Sequence, residues 1–201
     1  MKKRVCAMLV LLLVLLTGCG SENQSGGDTT LPEMGQFGAF PGLGGVMPEV
    51  TVTTATGQTL KLSDLLEEKK LVVLNFWFAE CGWCIREFPV MEVAYQNYRE
   101  DVEILALNPV DGVQDVIEFS QKNNMSFPMA SCPRSWAVEM GVTAYPTSVF
   151  IDRDGVVCLI HRGAITTTDT FDALFETFTA EDYERKIYSS ISELVSNNLS
   201  S

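Results

Sequence analysis

Apolar and polar positions follow three regimes along the 201 residues. Behind Lys2, Lys3 and Arg4, Val5 to Leu16 is an unbroken apolar run. From Ser21 to about Met47 the chain is rich in Gly, Ser, Asn, Gln and Pro and has no sustained period, which reads as a tether. From residue 48 onward, regular patterning begins. The stretch "EVTVTTATGQTLKLSDLL" alternates around Thr56-Gly57, which predicts a hairpin and then a short helix begun by Ser63 or Asp64. "LVVLNF", Leu71 to Phe76, is nearly continuous apolar sequence, the signature of a strand buried on both faces.

Beyond that strand the period changes. Phe88, Met91, Ala94, Tyr95 and Tyr98 recur at helical spacing and predict a helix from Cys84 to about Glu100. "VEILALNPV" is a second buried strand and "VQDVIEFSQKNN" a helix; Phe127 to Ala130 is a short strand and Arg134 to Met140 a short helix. "TSVFID", the turn "DRDG" and "VVCLIHR" predict an antiparallel pair, and Thr168 to Phe178 a closing helix. A further helix is expected from about Ala180 to Val195 on the spacing of Tyr183, Ile187, Ile191, Leu194 and Val195. The main order, β–α–β–α–β–β–α after an N-terminal hairpin, implies an α/β domain with helices on both faces of its sheet. About 150 residues fit one such domain.

Charge and cysteine placement sharpen this picture. The basic start followed by roughly 12 apolar residues has signal-peptide architecture and is short for a membrane-spanning helix. "LTGC", Leu16 to Cys19, resembles a bacterial lipobox, so residues 1–18 are expected to be removed and Cys19 to carry the lipid. Losing the three cations would take the formal net charge from −12 to −15. A chain this acidic repels nucleic-acid phosphates and anionic head groups, so membrane attachment is expected from the lipid and nucleic acid is excluded as a partner. A flexible tether of residues 19–47 would span roughly 25–35 Å. The expected localisation is the extracytoplasmic face of a bacterial cell membrane.

Of six cysteines, Cys6 leaves with the signal peptide and Cys19 is acylated. Cys81, Cys84, Cys132 and Cys158 remain, too sparse for a disulfide-stapled scaffold. Cys81 and Cys84 lie two residues apart in "NFWFAECGWCIREFP", directly after a strand and at the start of a helix. Unpaired N–H groups at a helix N-terminus stabilise a thiolate there, which makes Cys81 the expected exposed nucleophile and Cys84 the inner, resolving thiol. Zinc requires four clustered ligands; Cys132, Cys158 and the single His161 do not supply them, so no metal or other cofactor is expected. Cys132 and Cys158 read as separate buried thiols, and His161 as structural.

"LVVLNFWFAECGWCIREFP", "GVTAYPTSVFIDRDGVV" and the following "HRG" together resemble the thioredoxin superfamily, most closely its TlpA-like (ResA-like, CcmG-like) membrane-anchored branch, over about residues 48–178. The resemblance implies a thioredoxin-like fold, a central mixed sheet flanked by helices, with the N-terminal β-hairpin and an extra C-terminal helix (residues 179–201) added. It implies a thiol–disulfide oxidoreductase whose redox disulfide is Cys81–Cys84, with Glu87 near the pair influencing its proton chemistry. Pro146 matches the family's cis-proline, and Trp83, Tyr145 and Pro146 are expected to border the substrate. Implied partners are protein thiols and disulfides and a membrane thiol electron carrier of CcdA or DsbD type; apocytochrome c is one family client.

Asn75 stands where cytoplasmic thioredoxins carry a buried Asp, which shifts acid–base work towards Glu87, and Pro89 is expected to kink the helix. Two departures from the family are Glu80, at a position usually held by Trp, and the Gly82-Trp83 dipeptide. A disulfide-forming oxidant remains an alternative within redox chemistry. A peroxiredoxin-like peroxidase would need Pro and Thr where the chain has Leu74 and Phe78. A non-catalytic binding module would need neither cysteine nor Pro146.

Overall fold

The structure, a computed structural model, describes residues 38–198. The expected signal peptide, the lipidation site Cys19, tether residues 19–37 and the last three residues lie outside that range.

Chain order follows the patterning closely. β1 (Thr51–Thr53) and β2 (Thr59–Lys61) form a separate antiparallel hairpin, followed by α1 (Leu62–Glu68). β3 (Leu71–Phe76), α2 (Gly82–Tyr98), β4 (Val102–Asn108), α3 (Val113–Asn123) and β5 (Met129–Ser131) come next. Then follow α4 (Arg134–Glu139), β6 (Thr147–Asp152), β7 (Val157–Arg162), α5 (Thr168–Thr179) and α6 (Ile191–Asn198). The five long-range strands form one mixed sheet in the order β5-β4-β3-β6-β7. β3 lies at its centre, parallel to β4 and antiparallel to β6, and all six of its residues are buried. This is why "LVVLNF" shows no alternation: both faces are covered.

The two faces carry two cores. Leu71, Val73 and Trp77 point to the side packed by α2 and α5, where Phe88, Phe127, Phe171, Phe175 and Phe178 are buried. Val72, Leu74 and Phe76 point to the other side, with Trp136, Met140 and the hairpin residues Val50 and Val52. Each buried large apolar side chain contributes about 1.5–3 kcal/mol, so the aromatic side is the main anchor of α2. Helix α2 runs through Pro89 without ending there. In the β6–β7 turn, Gly155 adopts φ +77°, a left-handed backbone for which glycine carries no Cβ penalty. The Asp152 carboxylate secures that turn by accepting from the Asp154 and Val156 N–H groups.

Two expectations shift at the domain's ends. Residues 40–47, read as tether, pack on the sheet: Met47 is buried, and Gly44, Met47 and Val157 exchange backbone hydrogen bonds with Val157, Gly155 and Gly45 at 2.8–2.9 Å. The outer side of β7 offers unpaired backbone groups, and this Gly-rich segment satisfies them. The expected helix from Ala180 starts only at Ile191. Its first part is instead an extended strap. Tyr188 pairs with the same strand through its N–H to the Cys158 carbonyl at 3.0 Å and is buried against Phe178. Arg185 meets the buried Asp152 at 2.9 Å and also pairs with Asp154. Those tertiary partners override the helical spacing.

Candidate redox site

The chain leaves the sheet at the C-terminal end of central strand β3, and residues 77–81 turn it into α2. Trp77 N–H bonds to the Leu107 carbonyl at 3.1 Å, and Cys81 N–H closes a turn on the Phe78 carbonyl at 3.1 Å. Cys81 is then the N-cap of α2, and its Sγ accepts from the Cys84 N–H at 3.2 Å. The orphan N–H groups of a helix's first turn thus face the outer sulfur. Cys81 and Cys84 form a disulfide with a Cα–Cα distance of 5.2 Å. The expectation of an exposed Cys81 needs correction: it is 5 % exposed and Cys84 fully buried. Both pack in the aromatic core with Trp77 and Phe88, with Phe78 and Tyr145 leaning on it, so Cys81 is only the more accessible of two covered sulfurs.

Surrounding residues form a rim. Trp83 is 57 % exposed, and the Arg86 guanidinium lies 4.8 Å from its ring centroid. Glu80 is exposed. Phe76 pairs with Thr147, which places Pro146 at the same end of the sheet as the disulfide; the Tyr145–Pro146 peptide is cis. Tyr145 meets Phe78 edge to face at 5.3 Å. β3, which leads to Cys81, and β6, which follows Pro146, are therefore neighbours, and Tyr145 packs against the core cluster that holds Cys81.

Glu87 lies one helical turn beyond Cys84 and is fully buried. Its Oε2 accepts from Asn75 Nδ2 at 3.0 Å and its Oε1 from the Ile165 N–H at 2.9 Å. Burial raises its pKa to about 7, against the opposing pull of these two donors. The same Asn75 Nδ2 donates to Ser148 Oγ at 2.9 Å, while Asn75 Oδ1 is buried without a partner. Amide rotation would present Oδ1 to a protonated Glu87, with the Ser148 hydroxyl reversing its role from acceptor to donor. The network thus accommodates both protonation states.

Sequence reasoning placed Glu87 and Asn75 near the pair but missed Ser148 and the Ile165 N–H, contributed by β6 and the loop before α5. The other cysteines are separate: Cys132 and Cys158 are free and buried, and burial pushes the Cys132 thiol to about 12 and Cys158 higher still. His161 lies across from Ser148 on β7, and partial burial lowers its pKa. Among the described residues no cluster of His, Cys, Asp or Glu could hold a metal ion.

Comparisons with known proteins address this arrangement directly. The AhpC/TSA family model matches residues 43–160, more than half of the chain. The thiol-disulfide oxidoreductase ResA of Bacillus thuringiensis subsp. konkukian is 32 % identical over 168 residues, covering 83 % of this chain and 92 % of that protein. The chain belongs to the AhpC/TSA family, as a ResA-like thiol–disulfide oxidoreductase.

Further similarities extend this. Thioredoxin-like protein YneN of Bacillus subtilis is 29 % identical over 122 residues, 59 % of this chain and 71 % of its own length. A Chlorobium tepidum structure assigned as the thiol:disulfide interchange protein DsbE superposes with a TM-score of 0.56 at 30 % identity, over 66 % of this chain and 92 % of that one. A protein disulfide isomerase-like structure from Bacteroides thetaiotaomicron gives a TM-score of 0.61 at 20 % identity, covering 69 % and 91 %, which supports the fold alone. Within the family, this chain keeps two cysteines where a single peroxide-attacking thiol would need Pro and Thr at 74 and 78.

Proposed function

We propose that this oxidoreductase is a lipid-anchored, extracytoplasmic reductant of selected protein disulfides. The observation that carries the reading is the buried Glu87, raised to about 7 by desolvation, one helical turn from the inner thiol. A carboxyl group of that pKa exchanges its proton near neutral pH, where Cys84 must gain or lose one.

The dithiol form starts with the Cys81 thiolate, held at the helix N-terminus, attacking one sulfur of a client disulfide. A Cys81–client bond forms, the client S–S bond breaks, and the departing client sulfur takes up a proton. Glu87 in its carboxylate form takes the proton of Cys84, whose sulfur then attacks Cys81. The Cys81–Cys84 bond forms, the second client sulfur leaves and is protonated, and the client has gained two electrons and two protons. Exposed Trp83 and the Tyr145–Pro146 edge would hold the client segment. A membrane thiol carrier of CcdA or DsbD type would restore the dithiol by the reverse exchange. The lipobox at Leu16 to Cys19 supports anchoring outside the cytoplasm, and the motif resemblance to the TlpA-like branch makes apocytochrome c cysteines one client class to test.

Replacing Cys84 by Ser in cells would stall mixed disulfides on Cys81, and mass spectrometry would identify the clients. Clients that still carry the target disulfide should be trapped on Cys81 in membrane fractions, and Cys19→Ala should release the protein from them. Absence of any trapped protein on Cys81 would defeat the reading. Accumulation of oxidised clients that depends on this protein would replace it by the oxidant alternative.

A further inference from the structure

We propose that Asp111 is a positioning residue of the redox pair, through a side-chain clamp on the loop that presents Cys81. Between the last strand bond of β3 and the first turn of α2, Ala79 has its N–H aimed out of the loop. Asp111 Oδ2 accepts that N–H at 2.7 Å. The same oxygen accepts Asn108 Nδ2 at 2.8 Å, and Asn108 Oδ1 in turn accepts the Val110 and Asp111 N–H groups at 2.9 and 2.8 Å. Asn108 is fully buried at the end of β4, and its carbonyl holds the Cys132 N–H at 2.9 Å. A chain of side-chain bonds therefore runs from the rigid end of β4, through Asn108 and Asp111, to a backbone atom two residues before Cys81.

The geometry makes this clamp specific to the redox pair. Cys81 Sγ is addressed by the Cys84 N–H only while Cys81 stays at the N-cap. At the ends of the loop the Trp77 N–H ties it to the Leu107 carbonyl of β4, and the Cys81 N–H closes a turn within it on the Phe78 carbonyl. Asp111 supplies the anchor between them. Without it the loop gains freedom, Cys81 leaves the N-cap for part of the time, and its thiolate loses that donor. The inference rests on the Cys81–Cys84 pair being the working redox centre, which the wild-type measurements below test by themselves.

The distinguishing experiment compares Asp111→Ala with Asp111→Asn in the full chain. Asparagine retains one oxygen that can accept both N–H groups; alanine retains none. Two quantities are read: the pH profile of Cys81 alkylation in the reduced protein, and the equilibrium constant of the pair against glutathione. Removing one hydrogen bond of ordinary strength in the alanine protein should slow Cys81 alkylation near neutral pH about tenfold and raise its apparent pKa by about one unit. The glutathione equilibrium should shift with it, and the Ala79 amide should lose its hydrogen-exchange protection. The asparagine protein should stay within about twofold of wild type in each.

An alanine protein indistinguishable from wild type overturns the proposal. Equal shifts in both variants overturn it too, because they would show that the Asp111 charge acts and not the clamp. If the alanine protein does not fold, Asp111→Ser, with a side chain one bond short of the Ala79 N–H, gives the same decision. A wild-type pair that does not equilibrate with glutathione would instead defeat the redox reading itself.

Discussion

Glu87→Gln tests the electrostatics of the site most sharply. Burial moves the Glu87 pKa from an ordinary 4.5 to about 7. A shift of that size corresponds to about 3 kcal/mol between the two protonation states. The folded protein binds this proton more tightly than the unfolded chain, so the charged form opposes folding. The Glu87 contribution is therefore most favourable below the unfolded pKa and is lost as pH rises from about 4.5 to about 7. Glutamine has the same shape and no charge. Its carbonyl can accept the Ile165 N–H, and its amide N–H₂ can donate to the Asn75 Oδ1 that has no partner in the disulfide form. No hydrogen bond is lost in the exchange.

Glu103 and Asp172 also have raised pKa values, so the wild type alone would show a composite slope. The difference between variant and wild type cancels them. Urea unfolding of the oxidised proteins, in which the pair does not titrate, should show Glu87→Gln more stable by about 1 kcal/mol near pH 5 and about 3 kcal/mol near pH 8. A difference that stays flat over this range, or falls with pH, would refute the reasoning.

Three further outcomes follow from the described geometry. In the reduced native protein, an alkylating reagent near neutral pH should label Cys81 first and leave Cys132 and Cys158 unlabelled: Cys132 is no less exposed than Cys81, but burial raises both of the other thiol pKa values while the Cys81 sulfur sits at the N-terminus of α2; peptide mapping reads this directly. Tyr188→Ala should cost about 3–5 kcal/mol in chemical denaturation, since it empties a fully packed aromatic site beneath α5. A loss below about 0.5 kcal/mol would mean the C-terminal strap is not docked. Arg185→Ala removes the cationic partner of buried Asp152 while Tyr183 and two turn N–H groups stay, and it should lower the unfolding midpoint in the same assay.

The sheet and its helices were legible because burial dictates period. "LVVLNF" lacks alternation since β3 is covered on both faces, and "TSVFID" reads likewise for β6. Cys81, Cys84 and Pro146 were legible as a motif. Asn75 was legible as a polar residue inside an apolar strand. Its partner Ser148 was not, because it lies 73 residues away, and the Ile165 donor to Glu87 is a backbone atom, invisible to residue type. Asp111 was hidden for a similar reason: it lies between an expected strand and an expected helix with nothing in its neighbours to mark it, and only the fold brings its carboxylate to Ala79. The docked residues 40–47 and the strap before α6 were misread because their stability comes from the open side of β7 and from Asp152, not from local pattern.

The most direct measurement of the central claim is the rate at which the reduced full chain reduces a protein disulfide, followed beside Cys81→Ser and Cys84→Ser. The account predicts stoichiometric reduction with formation of the Cys81–Cys84 bond in wild type, no reaction for Cys81→Ser, and a stalled mixed disulfide on Cys81 for Cys84→Ser. Reduction that persists in Cys81→Ser, or a wild-type dithiol that reduces nothing, would contradict it.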